Sequence, residues 1–270
     1  MALSAVAPSA LASIDGQDIN IASTSEVVKA SINRLTAGVG FTLFTLNLDH
    51  LVKRRSDPAF RSAYGRATFV TADGAPVVWL ARKQGVRIDR VTGADLVIPM
   101  CEAAAREGIP VAFYGSSTQS LARAAANLRR MFPRIKINFL EAPPQGFNPT
   151  SPAADDAARR MAAAGARICF IALGAPKQEA FADRMGARHP NLGFLGIGAA
   201  LDFIAGDQVR APKFFQNHGL EWAWRLASNP QRMAIRYARC AAVLAMIALI
   251  PTQARAPHFG RAPSLGPTTR

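Results

Sequence analysis

Ala172-Leu173-Gly174-Ala175-Pro176-Lys177-Gln178-Glu179 closes an apolar run, Ala166 to Leu173, and opens a helical pattern that extends from Pro176 to about His189. A short run that is hydrophobic throughout reads as a strand buried on both faces, as strands of parallel sheets are. The strand ends in a polar turn. Ligands of open α/β sheets bind at the carboxyl ends of strands, and Pro176 suits the first helical position, beside free N–H groups that attract anions. Gly174, Lys177, Gln178 and Glu179 are therefore expected at the mouth of a site. The competing reading is an ordinary strand-to-helix turn with a solvated Lys and Glu, and the octet alone does not separate the two.

The same grammar recurs on both sides of it. Gln17 to Ile21 reads as a short strand, with a helix from about Ser25 to Gly38, and Phe41 to Leu46 reads as a strand that runs into Thr45-Leu46-Asn47. Ala67 to Thr71 opens onto Ala72-Asp73-Gly74, with a helix from Pro76 to about Lys83. Asp73 is expected to face the same mouth as Lys177 and Gln178, unless it only caps its helix; Thr45 and Asn47 have the same plain alternative. Arg90-Val91-Thr92-Gly93 precedes an amphipathic helix ending near Glu107, and Pro110 to Tyr114 is a strand. Gly115-Ser116-Ser117 then leads into a helix from Thr118 to Met131, a weak candidate for a phosphate cradle because it lacks a full glycine-loop pattern. Arg134 to Leu140 and Asn191 to Ile197 are the remaining strands, and a helix covers about Pro152 to Ala164. Strands alternating with helices predict a Rossmann-like, mostly parallel α/β sheet with helices on both faces.

The chain has 270 residues and a formal net charge of +14. From Asp207 onward there are nine Lys or Arg and two acidic residues, which is half of that charge. A polyanionic partner is expected, and the C-terminal quarter is expected to meet it. Asn229-Pro230 signals a helix on which Arg232, Arg236 and Arg239 share a face, and the apolar run from Cys240 to Ile250 follows. That run is too short to span a bilayer, so it packs on the protein, on a second copy of the chain, or in a membrane interface. Nucleic acid is disfavoured, because the charge adjoins an apolar run and no nucleic-acid-binding signature appears. Cys101, Cys169 and Cys240 lack metal-ligand spacing and read as reduced core residues, which suits the cytoplasm. The organisation expected is a flexible arm (1–16), an α/β core (17–206), a basic and partly apolar helical appendage (207–250) and a disordered tail (251–270).

In series, Thr45-Leu46-Asn47, Ala72-Asp73-Gly74, Arg90-Val91-Thr92-Gly93, Gly174 to Glu179, Gly198 to Gly206 with Asp202, Arg210-Ala211-Pro212 and Gly219-Leu220-Glu221-Trp222 through Arg225 to Arg232 resemble the WecG/TagA/CpsF family of bacterial glycosyltransferases. The resemblance covers roughly residues 17–237. It implies an inverting transferase that moves a hexose or N-acetylhexosamine-type sugar from a UDP-sugar to a polyprenyl-diphosphate-linked sugar. The reaction would take place at the cytoplasmic face of the membrane, in exopolysaccharide or other surface-polysaccharide synthesis. It also implies Asp73 as general base, a site lined by Thr45, Asn47, Arg90 and Gln178, and C-terminal arginines on the diphosphate. Asp202 is the second candidate base, though its apolar neighbours favour a structural carboxylate. No Asp-x-Asp pair is available to hold a metal on the diphosphate, so Arg210, Arg225, Arg232 and Arg236 are expected to carry that charge without a metal cofactor. The reading from a different class is a catalytically silent protein that binds a nucleotide or lipid-linked sugar at the membrane.

Overall fold

The computed structural model describes residues 8–249, except the side chains of Asn217 and Arg232. A hairpin of β1 (Ala12–Ile14) and β2 (Gln17–Ile19) precedes the main sheet. The core then runs α1 (Thr24–Thr36), β3 (Phe41–Leu46), α2 (Leu48–Ser56), α3 (Pro58–Arg66), β4 (Phe69–Ala72), α4 (Ala75–Lys83) and α5 (Gly93–Arg106). It continues through β5 (Val111–Gly115), α6 (Thr118–Met131), β6 (Ile137–Glu141), α7 (Pro152–Ala163), β7 (Ile168–Ala172), α8 (Lys177–Arg188), β8 (Gly193–Gly196) and α9 (Ala200–Ala205). Three helices follow: α10 (Lys213–Asn217), α11 (Glu221–Ser228) and α12 (Pro230–Leu249).

The six-stranded sheet has the order β4-β3-β8-β7-β5-β6, and every pairing in it is parallel. Alternation along the strands builds two cores. Phe44 and Leu46 of β3, Tyr114 of β5 and Cys169 and Ile171 of β7 face one side, where Leu51, Phe60, Val77, Met161 and Phe181 from α2, α3, α4, α7 and α8 cover them. Phe41 and Leu43, Phe113, and Ile168 and Phe170 face the other, beneath α1, α5, α6 and α9. Side chains alternate with a period of two, so the uniformly apolar strands of the sequence serve both layers at once. Because all six strands run the same way, their carboxyl ends and the N-termini of the helices that follow lie along one edge.

Two regions differ from expectation. Residues 12–14, assigned from composition to the flexible arm, form β1; Ala12 and Ile14 are buried, and Ser13 exchanges bonds with the Gln84 side chain. The reason is local: Asp15 and Gly16 adopt positive φ in a tight turn, which brings an alternating apolar pair back onto the core. The apolar run of α12 lies on α2, with Cys240 and Val243 buried and Met246 and Leu249 exposed. This C-terminal segment is therefore part of the same packed body. Residues 251–270, expected to be a disordered tail, lie outside the described residues, as do Ile250 and Met1 to Ala7. Among the described residues no helix is long and apolar enough to cross a membrane.

Candidate active site

Asp73 follows β4 at the carboxyl edge of the sheet. Gly74, at φ 96°, lets the chain turn sharply into α4, and the Asp73 amide donates to Leu46 O at 2.7 Å, which seats the turn beside the end of β3. Thr45 Oγ1 and Asn47 Nδ2 donate to Asp73 Oδ2 at 3.3 and 3.4 Å. No described residue donates to Oδ1. Asn47 also caps α2, its Oδ1 accepting from the His50 amide at 3.0 Å, so the cap reading and the site reading are both true of this residue. Burial raises the pKa of Asp73 to about 6, against the opposing effects of Asn47, the Arg225 charge and Thr45; the Glu221 charge adds to the rise.

Two cavities meet at this carboxylate. A polar one of about 580 Å³ is lined by Thr45, Asn47, Asp73, Gly174, Gln178, the 196–199 turn, Arg210, Arg225 and Arg236. The N-terminal turns of α2 and α5 open onto it through Asn47 and Thr92-Gly93-Ala94, so their free N–H groups and dipoles favour an anion there. A smaller, mostly apolar one of about 340 Å³ lies between Pro76, Trp222, Tyr237, Ala241 and Leu244, with Asp73, Arg90, Arg225 and Arg236 also in its wall. Asp73, Asn47, Asp49, Glu221, Arg225 and Arg236 belong to both.

The octet contributes less to this site than its sequence promises. Gln178 lines the polar cavity, held by a bond from the Gly198 amide to its Oε1 at 3.1 Å and by its own donation to Glu179 Oε1 at 2.8 Å. A side chain at Gly196 would come within 2.8 Å of Gln178 Nε2 and push that amide aside, so glycine leaves Gln178 its place in the cavity wall. Lys177, by contrast, is exposed and lines neither cavity. Glu179 is fully buried behind the cavity wall, its Oε2 has no partner, and burial raises its pKa to about 7. Pro176 occupies the N-cap position, one residue before α8, so it is Gln178 on the second helical position that turns inward. The expectation that the whole Lys-Gln-Glu triplet stands at the mouth is corrected to one residue of three.

Asp202 is the structural carboxylate that its apolar neighbours favour, and it is corrected only as a residue of the site. It is absent from the walls of both cavities; its carboxylate accepts from Ser116 Oγ and from Gln208 Nε2 at 2.9 Å, which ties α9 to the turn after β5. Ser116 and Ser117 are consumed in the same way, Ser117 capping α6, so this turn is a structural junction and no phosphate cradle. Arg236 reaches Asp49 at 2.9 Å and shares that carboxylate with Lys53, while its Nε is buried without a partner. Burial pushes the Asp49 pKa upward, but Lys53 and Arg236 more than offset it, and the net shift is downward. Arg239 is exposed and lines neither cavity, and the Arg232 side chain lies outside the described residues. Arg210 donates to Asp95 at 2.6 Å and to Glu221 at 3.0 Å, and Arg90 faces Glu221 at 3.4 Å.

One buried group escaped the sequence reading. His50 Nδ1 lies 2.6 Å from the Tyr64 hydroxyl, which donates to Thr45 O at 3.2 Å under the same strand end. Burial lowers the His50 pKa to about 3, so the ring is neutral at physiological pH and braces the Thr45 turn. The only signal for it was the Asn47 cap, which places His50 one turn into a helix. Among the described residues no group of three or more His, Cys, Asp or Glu side chains is placed to hold a metal ion.

A parallel α/β sheet whose carboxyl edge presents a carboxylate of raised pKa beside an arginine-walled cavity is suited to an anionic ligand. The chain belongs to the glycosyl transferase WecG/TagA/CpsF family, whose model matches residues 12–256. It is thus a glycosyltransferase of cell-surface polysaccharide synthesis, which takes a sugar-nucleotide donor and a sugar acceptor.

Proposed function

We propose that this enzyme transfers a hexose or N-acetylhexosamine from a UDP-sugar, with inversion, to a polyprenyl-diphosphate-linked sugar at the cytoplasmic face of the membrane. The observation that carries the reading is the position of Asp73 on the wall shared by a polar, cation-lined cavity and an apolar one. The polar cavity suits the nucleotide diphosphate and donor sugar; the apolar one suits the first isoprene units and the sugar of a lipid-linked acceptor. Asp73 Oδ1 takes the proton of the acceptor hydroxyl as that oxygen attacks the anomeric carbon, and the bond to UDP breaks with its electron pair staying on the phosphate. Thr45 and Asn47 hold the other carboxylate oxygen and fix its direction. A pKa of about 6 leaves Asp73 ionised at pH 7 while it remains a stronger base than an ordinary aspartate.

Charge on the departing UDP is met by Arg210, Arg225 and Arg236 and by the helix N-termini, so the reaction runs without a divalent metal. The exposed Trp222, Met246 and Leu249 of the C-terminal helices, with the basic character of that segment, support contact with an anionic bilayer. The test is acceptor-dependent UDP release from a panel of UDP-sugars with a short-chain prenyl-diphosphate sugar, comparing wild type with Asp73→Asn. Turnover lost in the variant with donor binding intact supports the assignment. Binding without turnover across the whole panel, by wild type as well, turns the reading into that of a silent carrier.

A further inference from the structure

The site contains an acid for which the transfer chemistry has no use. Glu221 is the first residue of α11 and stands in the walls of both cavities. Its Oε1 accepts from Arg210 Nε at 3.0 Å, and its Oε2 lies 3.4 Å from Arg90 Nη1. The side chain is 16% exposed, so the two pairs are screened less than surface ones. Two oxygens of one anion, each on a different guanidinium, reproduce the way the oxygens of a bound diphosphate divide between arginines.

Arg210 also has a second acid, and the contrast between its two partners is informative. Asp95 accepts from Arg210 Nη1 at 2.6 Å while its other oxygen takes the Thr92 hydroxyl at 2.8 Å, so it is fixed at the start of α5; it lines neither cavity. Arg210 is therefore anchored from the core side by Asp95 and occupied from the ligand side by Glu221. Asp49 does for Lys53 and Arg236 what Glu221 does for Arg90 and Arg210: each of these two pairs of cations shares one carboxylate.

We propose that Glu221 is a resident counter-anion, which holds Arg90 and Arg210 and is displaced from them by the diphosphate of an incoming substrate. The exchange frees the start of α11, which carries the cavity residues Trp224 and Arg225, to follow the ligand. This rests on the transferase reading, because the displacing group must be a diphosphate. Both substrates of that reaction carry one, so the exchange has two sources to distinguish.

The experiment is calorimetric titration of wild type, Glu221→Gln and Asp95→Asn with UDP and, separately, with farnesyl diphosphate at one fixed salt concentration, after thermal unfolding has shown each variant folded. Glu221→Gln is expected to bind one or both about fivefold to tenfold more tightly, since the ligand no longer displaces a paired carboxylate, and Asp95→Asn to bind more weakly. The ligand whose affinity rises names the source. Glu221→Asp, which keeps the charge but shortens the reach, serves as second variant if the Gln form does not fold, and tightening there supports the same exchange. Equal tightening in Glu221→Gln and Asp95→Asn reduces the effect to net charge and overturns the inference. Unchanged or weaker binding by Glu221→Gln makes Glu221 a brace for the arginines and overturns it too. If neither ligand binds any of the proteins, the reading of a UDP-sugar donor and a prenyl-diphosphate acceptor falls, and the inference with it.

Discussion

The turns after β4 and β7 begin from the same sequence grammar and end in different chemistry. Each is an apolar strand that opens through a glycine of positive φ into a helix with an acid near its start. Both acids have raised pKa values, about 6 for Asp73 and about 7 for Glu179, and in both burial is the largest cause. Asp73 sits before its helix, takes donors from Thr45 and Asn47 on one oxygen and meets the cavities with the other. Glu179 sits three residues after the cis Ala175–Pro176 bond, on the inner face of α8, with Gln178 between it and the cavity. A shifted pKa therefore measures surroundings; of the two acids only Asp73 also lines a cavity.

Removing each carboxylate in turn tests that contrast most strongly. Asp73→Asn is expected to lower kcat by about 10²- to 10⁴-fold in the UDP-release assay, and Glu179→Gln by less than about tenfold. Comparable losses in the two variants would erase the distinction. The pH profile comes next: kcat/KM is expected to fall tenfold per pH unit below about 6, as Asp73 takes up its proton. Thr45→Val, which removes one donor to the ionised form, is expected to move that limb to higher pH by several tenths of a unit; a limb that stayed in place would show that the bond does not tune the base.

Stability should separate the two acids from ordinary ones by a smaller margin. A carboxyl whose pKa is raised on folding stabilises the fold below its unfolded value, near 4, and that contribution is lost as pH rises through 6 for Asp73 and 7 for Glu179. Asp73→Asn and Glu179→Gln are therefore expected to raise the thermal midpoint at pH 8, by on the order of 1 to 3 kcal/mol of stability, with much less difference from wild type at pH 4. Differential scanning calorimetry at the two pH values checks the sign. The smallest expected effect is that of EDTA, which should leave turnover unchanged. Turnover that vanished with chelator and returned with magnesium would move the leaving-group charge from arginines to a metal.

Local pattern made much of this architecture legible. β3 and α6 occupy the residues their patterns indicate, Phe41–Leu46 and Thr118–Met131, because a β-prone run and a 3.6-residue stripe are properties of neighbours in sequence. Thr45, Asn47, Asp73 and Gln178 converge because parallel strands must deliver their carboxyl ends to one edge. What was not legible depends on partners far apart in the chain. Residues 48–66, whose charges obscure any apolar stripe, form α2 and α3; the Asp57-Pro58 pair, a cap followed by a first-turn proline, was the overlooked signal. The pairing of Arg90 with Glu221 spans 131 residues and leaves no local trace. The divergent fates of Gln178 and Glu179 depend on where α8 lies against β3 and β8, which no reading of the octet supplies.

The packing of α12 on α2 affects how the enzyme comes into being. The apolar cavity is walled on one side by residues from 47 to 90 and on the other by residues from 219 to 244. During synthesis the sheet and the turn that carries Asp73 leave the ribosome well before the helices that complete this wall. The apolar cavity therefore exists only once residues 219–244 have been made and have packed against the turn that carries Asp73.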